Sequence, residues 1–218
     1  MSYQIAIDGP AGAGKSTIAR RVAKEKQFIY VDTGAMYRAM AYYLLTQEID
    51  PENEKAIEQA CQGADITIRY EAGEQVVLLN GENVNSFIRS EAVGNMASYS
   101  SKNQQVRQRL TQLQQELAAS NNVVMDGRDI GTCVLPGADV KVYLTASSKV
   151  RARRRYDELT AKGIACDMDQ IEADIIRRDH QDMTREIAPL RQAEDAVLID
   201  SSDMTIEEVA QAILALCK

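Results

Sequence analysis

The chain has 218 residues, enough for one α/β domain with an insertion, and 45% are hydrophobic, as a packed core requires. A formal net charge of −7 argues against a general nucleic-acid or anionic-membrane surface, and a lone histidine, His180, argues against a histidine triad or multi-histidine metal site. Cys61, Cys133, Cys166 and Cys217 form no C-x-x-C pair, no apolar stretch is long enough to span a bilayer, and Asp8 interrupts the first apolar run. A soluble, cytoplasmic, reduced protein is therefore expected.

In chain order, residues 4–7 form a short apolar run that ends at Asp8 and reads as a buried strand. Residues 9–16 are rich in glycine, and residues 17–24 then place apolar side chains at helical spacing, so the segment turns a strand into a helix. Residues 28–31 predict a second strand, and residues 35–45 and 52–61 predict helices. Residues 66–70 and 75–79 are β-rich runs joined by Glu71-Ala72-Gly73-Glu74, and Asn80-Gly81 supplies a type I′ turn signal before Val84. Such short turns force antiparallel pairing, which predicts a small separate sheet. Helices over 89–99 and 105–119 return the chain to a strand at 123–125. Further strands are expected at 140–144 and 196–199, with helices at 150–159, 168–178 and 206–216.

Gly9-Pro10-Ala11-Gly12-Ala13-Gly14-Lys15-Ser16 is a complete G-x-x-x-x-G-K-[ST] phosphate-binding loop, with Thr17 beginning the helical run behind it. Its glycines let backbone N–H groups converge on a polyphosphate, Lys15 can reach the β/γ oxygens, and the Ser16 hydroxyl can join the shell of Mg²⁺. Five short strands around such a loop predict an α/β fold: a P-loop NTPase-type parallel five-stranded sheet flanked by helices, with ligands at the strand C-terminal ends. The expected organisation is one domain, with core segments 1–63, 100–148 and 164–218, a small antiparallel-sheet inserted lobe at 64–99, and a helical lid at 149–163.

Four other segments carry chemistry. Asp126-Gly127-Arg128-Asp129 ends a buried strand, where an aspartate orients Mg²⁺ or its waters; a simple turn cap is the alternative. Arg128 suits an acceptor phosphate, and Asp129 can accept from a polar ligand. In Asp32-Thr33-Gly34-Ala35-Met36-Tyr37-Arg38, Thr33 is placed to cap a helix and Arg38 follows one turn later, either as a phosphate site or as cap plus surface arginine. Lys149-Val150-Arg151-Ala152-Arg153-Arg154-Arg155 reads as a lid, a solvated helix face or a nucleic-acid patch, and the net charge counts against the last. Arg178, Asp182 and Arg185 are spaced four and three apart, as one helix face would require; a salt-bridge ladder is the competing reading.

These blocks, in this order and running into Ala188-Pro189-Leu190, resemble the bacterial cytidylate kinase family over essentially the full chain. The loop is shared widely, whereas D-[ST]-G-A-x-Y-R and D-G-R-D-x-G-T together are specific. Thr33 stands where many members have serine. The resemblance implies transfer of the ATP γ-phosphoryl group to CMP or dCMP with Mg²⁺. It implies that Thr33, Arg38, Ser98, Arg107, Arg128, Asp129, Arg178, Asp182 and Arg185 engage the acceptor. Of these, Ser98, Arg107 and Asp129 would meet the cytosine ring, and Arg178 and Asp182 the sugar. Lys15, Asp126, Arg128 and Arg185 would serve catalysis, Ser16 and Asp126 the metal, directly or through water. Arg151, Arg154 and Arg155 would bind ATP with the loop. A monomer without nucleic-acid or membrane partners is expected. The competing readings are another P-loop small-molecule kinase with a different acceptor, or a nucleotide-dependent switch; the latter lacks an N-K-x-D motif.

Overall fold

The structure, a computed structural model, describes residues 2–218. Those residues divide into two compact units. One runs up to Tyr30 and resumes over Asn122–Lys218; the other is Val31–Asn121.

The first unit is built on β1 (Gln4–Asp8), α1 (Lys15–Lys26) and the start of β2 (Ile29–Asp32). After the second unit it resumes with β6 (Val123–Gly127), β7 (Val140–Thr145), α6 (Ser148–Ala161), α7 (Met168–Thr184), β8 (Val197–Asp200) and α8 (Ile206–Leu214). Among the described residues, five strands form one sheet in the order β2-β6-β1-β7-β8, and β1 pairs parallel with both β6 and β7. The chain leaves β1 toward one side for β2 and later crosses to the other side for β7. The C-terminal end of β1 is therefore the point where strand order reverses, the position at which open parallel sheets bind ligands. The central strands are apolar on successive residues because helices bury them; Ile5, Ile7, Val124, Val142 and Leu144 pack with Ile18, Ala19 and Val22 of α1 and Val209, Ala210 and Ile213 of α8.

In the second unit, α2 (Thr33–Thr46) packs on α4 (Glu91–Ser100) and α5 (Gln104–Ser120), with α3 (Glu54–Ala60) and a 3₁₀ turn at Cys61–Gly63 between. A three-stranded antiparallel sheet of β3 (Ile66–Glu71), β4 (Glu74–Leu79) and β5 (Glu82–Asn83) completes it. Both of its turns carry positive φ at two successive residues, Ala72 and Gly73, then Asn80 and Gly81, the type I′ signature. The expected lobe 64–99 falls inside this unit.

Two local expectations change. Asp32, not Thr33, caps α2: its Oδ1 accepts from Ala35 N at 2.8 Å, and Thr33 is the first helical residue. α7 stops at Thr184, and Arg185 is extended (φ −62°, ψ 143°), so it does not continue the helical face of Arg178 and Asp182. The segment after Asp129 is a π-helical turn, Ile130–Val134.

Candidate functional site

The phosphate loop begins where β1 ends. Gly9 has φ +148°, and a Cβ there would lie 1.9 Å from the Leu144 carbonyl oxygen, so only glycine allows the loop to leave the sheet this close to β7. Gly14, at φ +88°, stands at the N-cap of α1 with no side-chain cap, which leaves first-turn N–H groups for an anion. Lys15 is buried and its Nζ donates to the Pro10 carbonyl at 2.7 Å, bridging the loop it would serve. Burial, reinforced by the charge of Arg128, pulls Lys15 down to about 7. Ser16 and Thr17 are exposed at the start of α1.

Asp126, buried within β6, joins this loop to the sheet. Its Oδ2 accepts from the Ser16 hydroxyl at 2.9 Å and its Oδ1 from the Tyr30 hydroxyl at 2.8 Å. The oxygen chemistry of Ser16 and Asp126 fits a hard divalent cation that keeps most of its own waters. Among the described residues there is no group of three or more His, Cys, Asp or Glu that could hold a metal ion.

Two residues on, the chain turns through Arg128 and Asp129. Arg128 Nε donates to Asp182 Oδ2 at 2.7 Å. Burial alone would lower Arg128 and raise Asp182. The charge and hydrogen bond between them outweigh it, so Arg128 goes up and Asp182 goes down. Arg185 Nη2 approaches Asp129 Oδ1 at 3.4 Å, both side chains being buried, and Arg185 Nε donates to the Ala188 carbonyl. Arg178 is exposed on α7, and its charge also lowers Asp182. Lys15, Arg128, Asp129, Asp182 and Arg185 thus belong to one unit, with Arg128 paired to Asp182 and Arg185 to Asp129.

The basic helix α6 is less uniform than its sequence. Arg151 is buried: Nε donates to the Ala146 carbonyl (2.8 Å), Nη1 to the Ala11 carbonyl (3.0 Å) and Nη2 to Asp179 Oδ2 (2.6 Å). Its guanidinium braces the phosphate loop from behind. Arg154 bonds Ser201, and Arg155 lies on the surface against Glu158.

In the second unit, Arg38 and Arg89 each approach Asp32 Oδ2 at 3.4 Å. Arg107 is buried, with its guanidinium carbon 5.5 Å from the centre of the Tyr37 ring and Nη1 on the Ser101 carbonyl at 3.1 Å. Thr33 is buried at the start of α2, and Ser98 is half-buried on α4.

Sequence reading passed over Asp8, Tyr30 and Asp179. Tyr30 and Asp179 bond the recognised Asp126 and Arg151, Asp8 accepts from the two amides that follow Asp129, and none sits in a motif of its own. Asp8 alone left a trace, as a carboxylate at the end of an otherwise apolar strand.

The family model described as cytidylate kinase matches residues 5–218. A cytidylate kinase of Caldicellulosiruptor bescii is 51% identical over 212 residues, covering 97% of this chain and 94% of that protein. One of Listeria welshimeri is 50% identical over 215 residues, covering 98% and 95%. Among solved structures, an uncharacterised protein from Eubacterium ventriosum superposes with a TM-score of 0.51 at 13% identity, over 99% of this chain and 97% of that one, a likeness of fold alone.

Proposed function

The chain belongs to the cytidylate kinase family, and from that premise we propose that it transfers the γ-phosphoryl group of ATP to CMP or dCMP, giving CDP or dCDP and ADP. An oxygen of the acceptor phosphate attacks the γ-phosphorus in line, and the bond from that phosphorus to the β,γ-bridging oxygen breaks, leaving ADP. Such a transfer needs positioning and charge neutralisation more than a covalent nucleophile. The observation that carries the reading is the placement of Arg128. It follows Asp126, which bonds Ser16 of the loop, by two residues and is itself bonded to Asp182, so one turn links donor-loop and acceptor chemistry.

Residues 9–17 cradle the triphosphate, all but Pro10 having a backbone N–H to donate, and Lys15 follows the transferring group. Ser16 and Asp126 would hold Mg²⁺, with Tyr30 fixing the carboxylate. The ion, when bound, neutralises charge on the donor phosphates. Arg128 and Arg185 offset repulsion between two anionic substrates, and Asp182, with Arg178, is assigned to the sugar. Asp129 accepts from the cytosine amino group; uracil presents a carbonyl there, and two acceptors would face one another. Thr33, Arg38, Ser98 and Arg107 are the residues that the second unit contributes to the assignment. In the first unit, Arg151 is reassigned from ATP contact to support of the loop, because it is buried and three of its five N–H groups are bonded to Ala11, Ala146 and Asp179.

The test is ADP release measured across CMP, dCMP, UMP, AMP, GMP and hydroxyl acceptors. CMP and dCMP should exceed UMP in kcat/KM by about ten- to a hundredfold, the effect of one unpaired polar group. Equal turnover of UMP would remove Asp129 from base selection, and preference for a hydroxyl acceptor would overturn the reading.

A further inference from the structure

We propose that Asp8 is a positioning residue for base selectivity, holding the turn that carries Asp129 to the strand from which the phosphate loop springs. The proposal rests on the assignment of Asp129 to the cytosine ring made above.

Asp8 is 5% exposed at the C-terminal end of β1, where Ile5, Ala6 and Ile7 are fully buried. An apolar residue would continue that pattern without desolvation cost. A carboxylate must be matched by donors. Two are supplied: Oδ1 accepts from Ile130 N and Oδ2 from Gly131 N, both at 2.7 Å, the short length of charge-assisted bonds. Those amides immediately follow Asp129. The register of β1 with β6 pairs Asp8 with Gly127, so the backbone is fixed just before Arg128 and again just after Asp129. Between these anchors Asp129 adopts φ −144°, ψ 26°, and its carbonyl accepts from Cys133 N at 2.8 Å and Val134 N at 3.1 Å, closing the π-turn.

Gly131 gives independent support. A Cβ on it would lie 3.3 Å from Asp8 Oδ2 and 3.2 Å from Lys141 Cδ, so the close approach of carboxylate and amide depends on a missing side chain. Lys141 cannot easily yield, since its ammonium is bonded to Asp195 and Pro136. The next residue of the chain after Asp8 is Gly9, and the carboxylate therefore ties the acceptor-reading turn to the first residue of the donor loop.

Asp8→Asn tests this with nearly unchanged shape. The amide offers one acceptor oxygen and one NH₂ group, so one backbone amide faces a donor and the turn must shift. Displacement of a reading group by part of an ångström costs about ten- to a hundredfold. The ratio of kcat/KM for CMP to that for UMP should fall by about that factor, with KM for CMP rising. A general loss of stability would lower both substrates alike and leave the ratio unmoved. Gly131→Ala, which presses on the same oxygen, should lower the ratio too, and the double variant should fall short of the product of the two effects. A folded Asp8→Asn protein with the wild-type ratio overturns the inference. Should that variant fail to fold, an unchanged ratio in Gly131→Ala overturns it instead. Lack of CMP preference in the wild type is a different result, and refutes the base-selection reading on which the inference rests.

Discussion

Arg151→Met separates two accounts of the basic helix. Methionine keeps much of the stem that packs against Gly12, where a Cβ would meet Arg151 Cβ at 3.4 Å, but removes every donor. What is lost is one bond to a carboxylate and two to carbonyls, at 2.6, 2.8 and 3.0 Å. The bond to Asp179 is worth about 1.5–3 kcal/mol and each of the others about 0.5–1.5 kcal/mol. Asp179 compounds the loss, because its Oδ1 is already buried without a hydrogen-bond partner and its Oδ2 would join it. Its side chain is 16% exposed, so water recovers part of the cost and the lower end applies, about 3 kcal/mol.

For a chain of this length that corresponds to a fall in Tm of about 6–12 °C. Thermal melts followed by circular dichroism, with and without ATP, supply the measurement, and KM for ATP is taken below the melt. The expected pattern is a large loss of stability with a modest rise in KM, because the loop is still present but less well braced. An unchanged Tm with KM for ATP raised tenfold or more would refute the reasoning and return Arg151 to the role of direct ATP ligand in a mobile lid.

Gly9→Ala should reduce kcat/KM for ATP by about a hundredfold or more, because its Cβ meets backbone and no rotamer relieves the contact; a normal KM for ATP would contradict the close approach to Leu144. Asp182→Asn should destabilise the fold by about 2 kcal/mol at neutral pH through loss of the Arg128 bridge. The carboxyl is held below its ordinary value, so its contribution is complete above about pH 4 and disappears as pH falls through the depressed folded value. The Tm difference between wild type and variant should accordingly close in acid, and a gap independent of pH would show that the bridge is not its source.

Most of the fold was legible because hydrophobic period and turn chemistry are local. Strand and helix alternated along residues 4–45, and Asn80-Gly81 announced a hairpin that the register of β4 and β5 bears out. The phosphate loop was equally plain, since its glycines and Lys15-Ser16 serve geometry within eight consecutive residues. What escaped depends on partners distant in sequence. The π-turn Ile130–Val134 has no periodic signature; Asp8, more than a hundred residues earlier, accepts from its amides. Asp32 and Thr33 are both good cap residues, and only the backbone decides that Asp32 holds the position. Spacing alone placed Arg185 on the face of Asp182, but Leu190 N bonds back to the Asp182 carbonyl, and the chain leaves the helix to make that return.

The arginines follow a rule that composition conceals. A chain of charge −7 still gathers guanidinium groups, and four of those traced above have an aspartate near them: Arg128 with Asp182, Arg151 with Asp179, Arg185 with Asp129, Arg38 with Asp32. The distances sort them. Contacts at 2.6–2.7 Å are full charge-assisted hydrogen bonds, and breaking one leaves a buried carboxylate exposed to its own desolvation cost. Contacts at 3.4 Å lie at the outer edge of bonding. Arg151, held through three of its N–H groups, therefore suits permanent support of the loop. Aspartate keeps such arginines oriented and mutually screened before any substrate arrives, which lets a net acidic protein gather two polyanions.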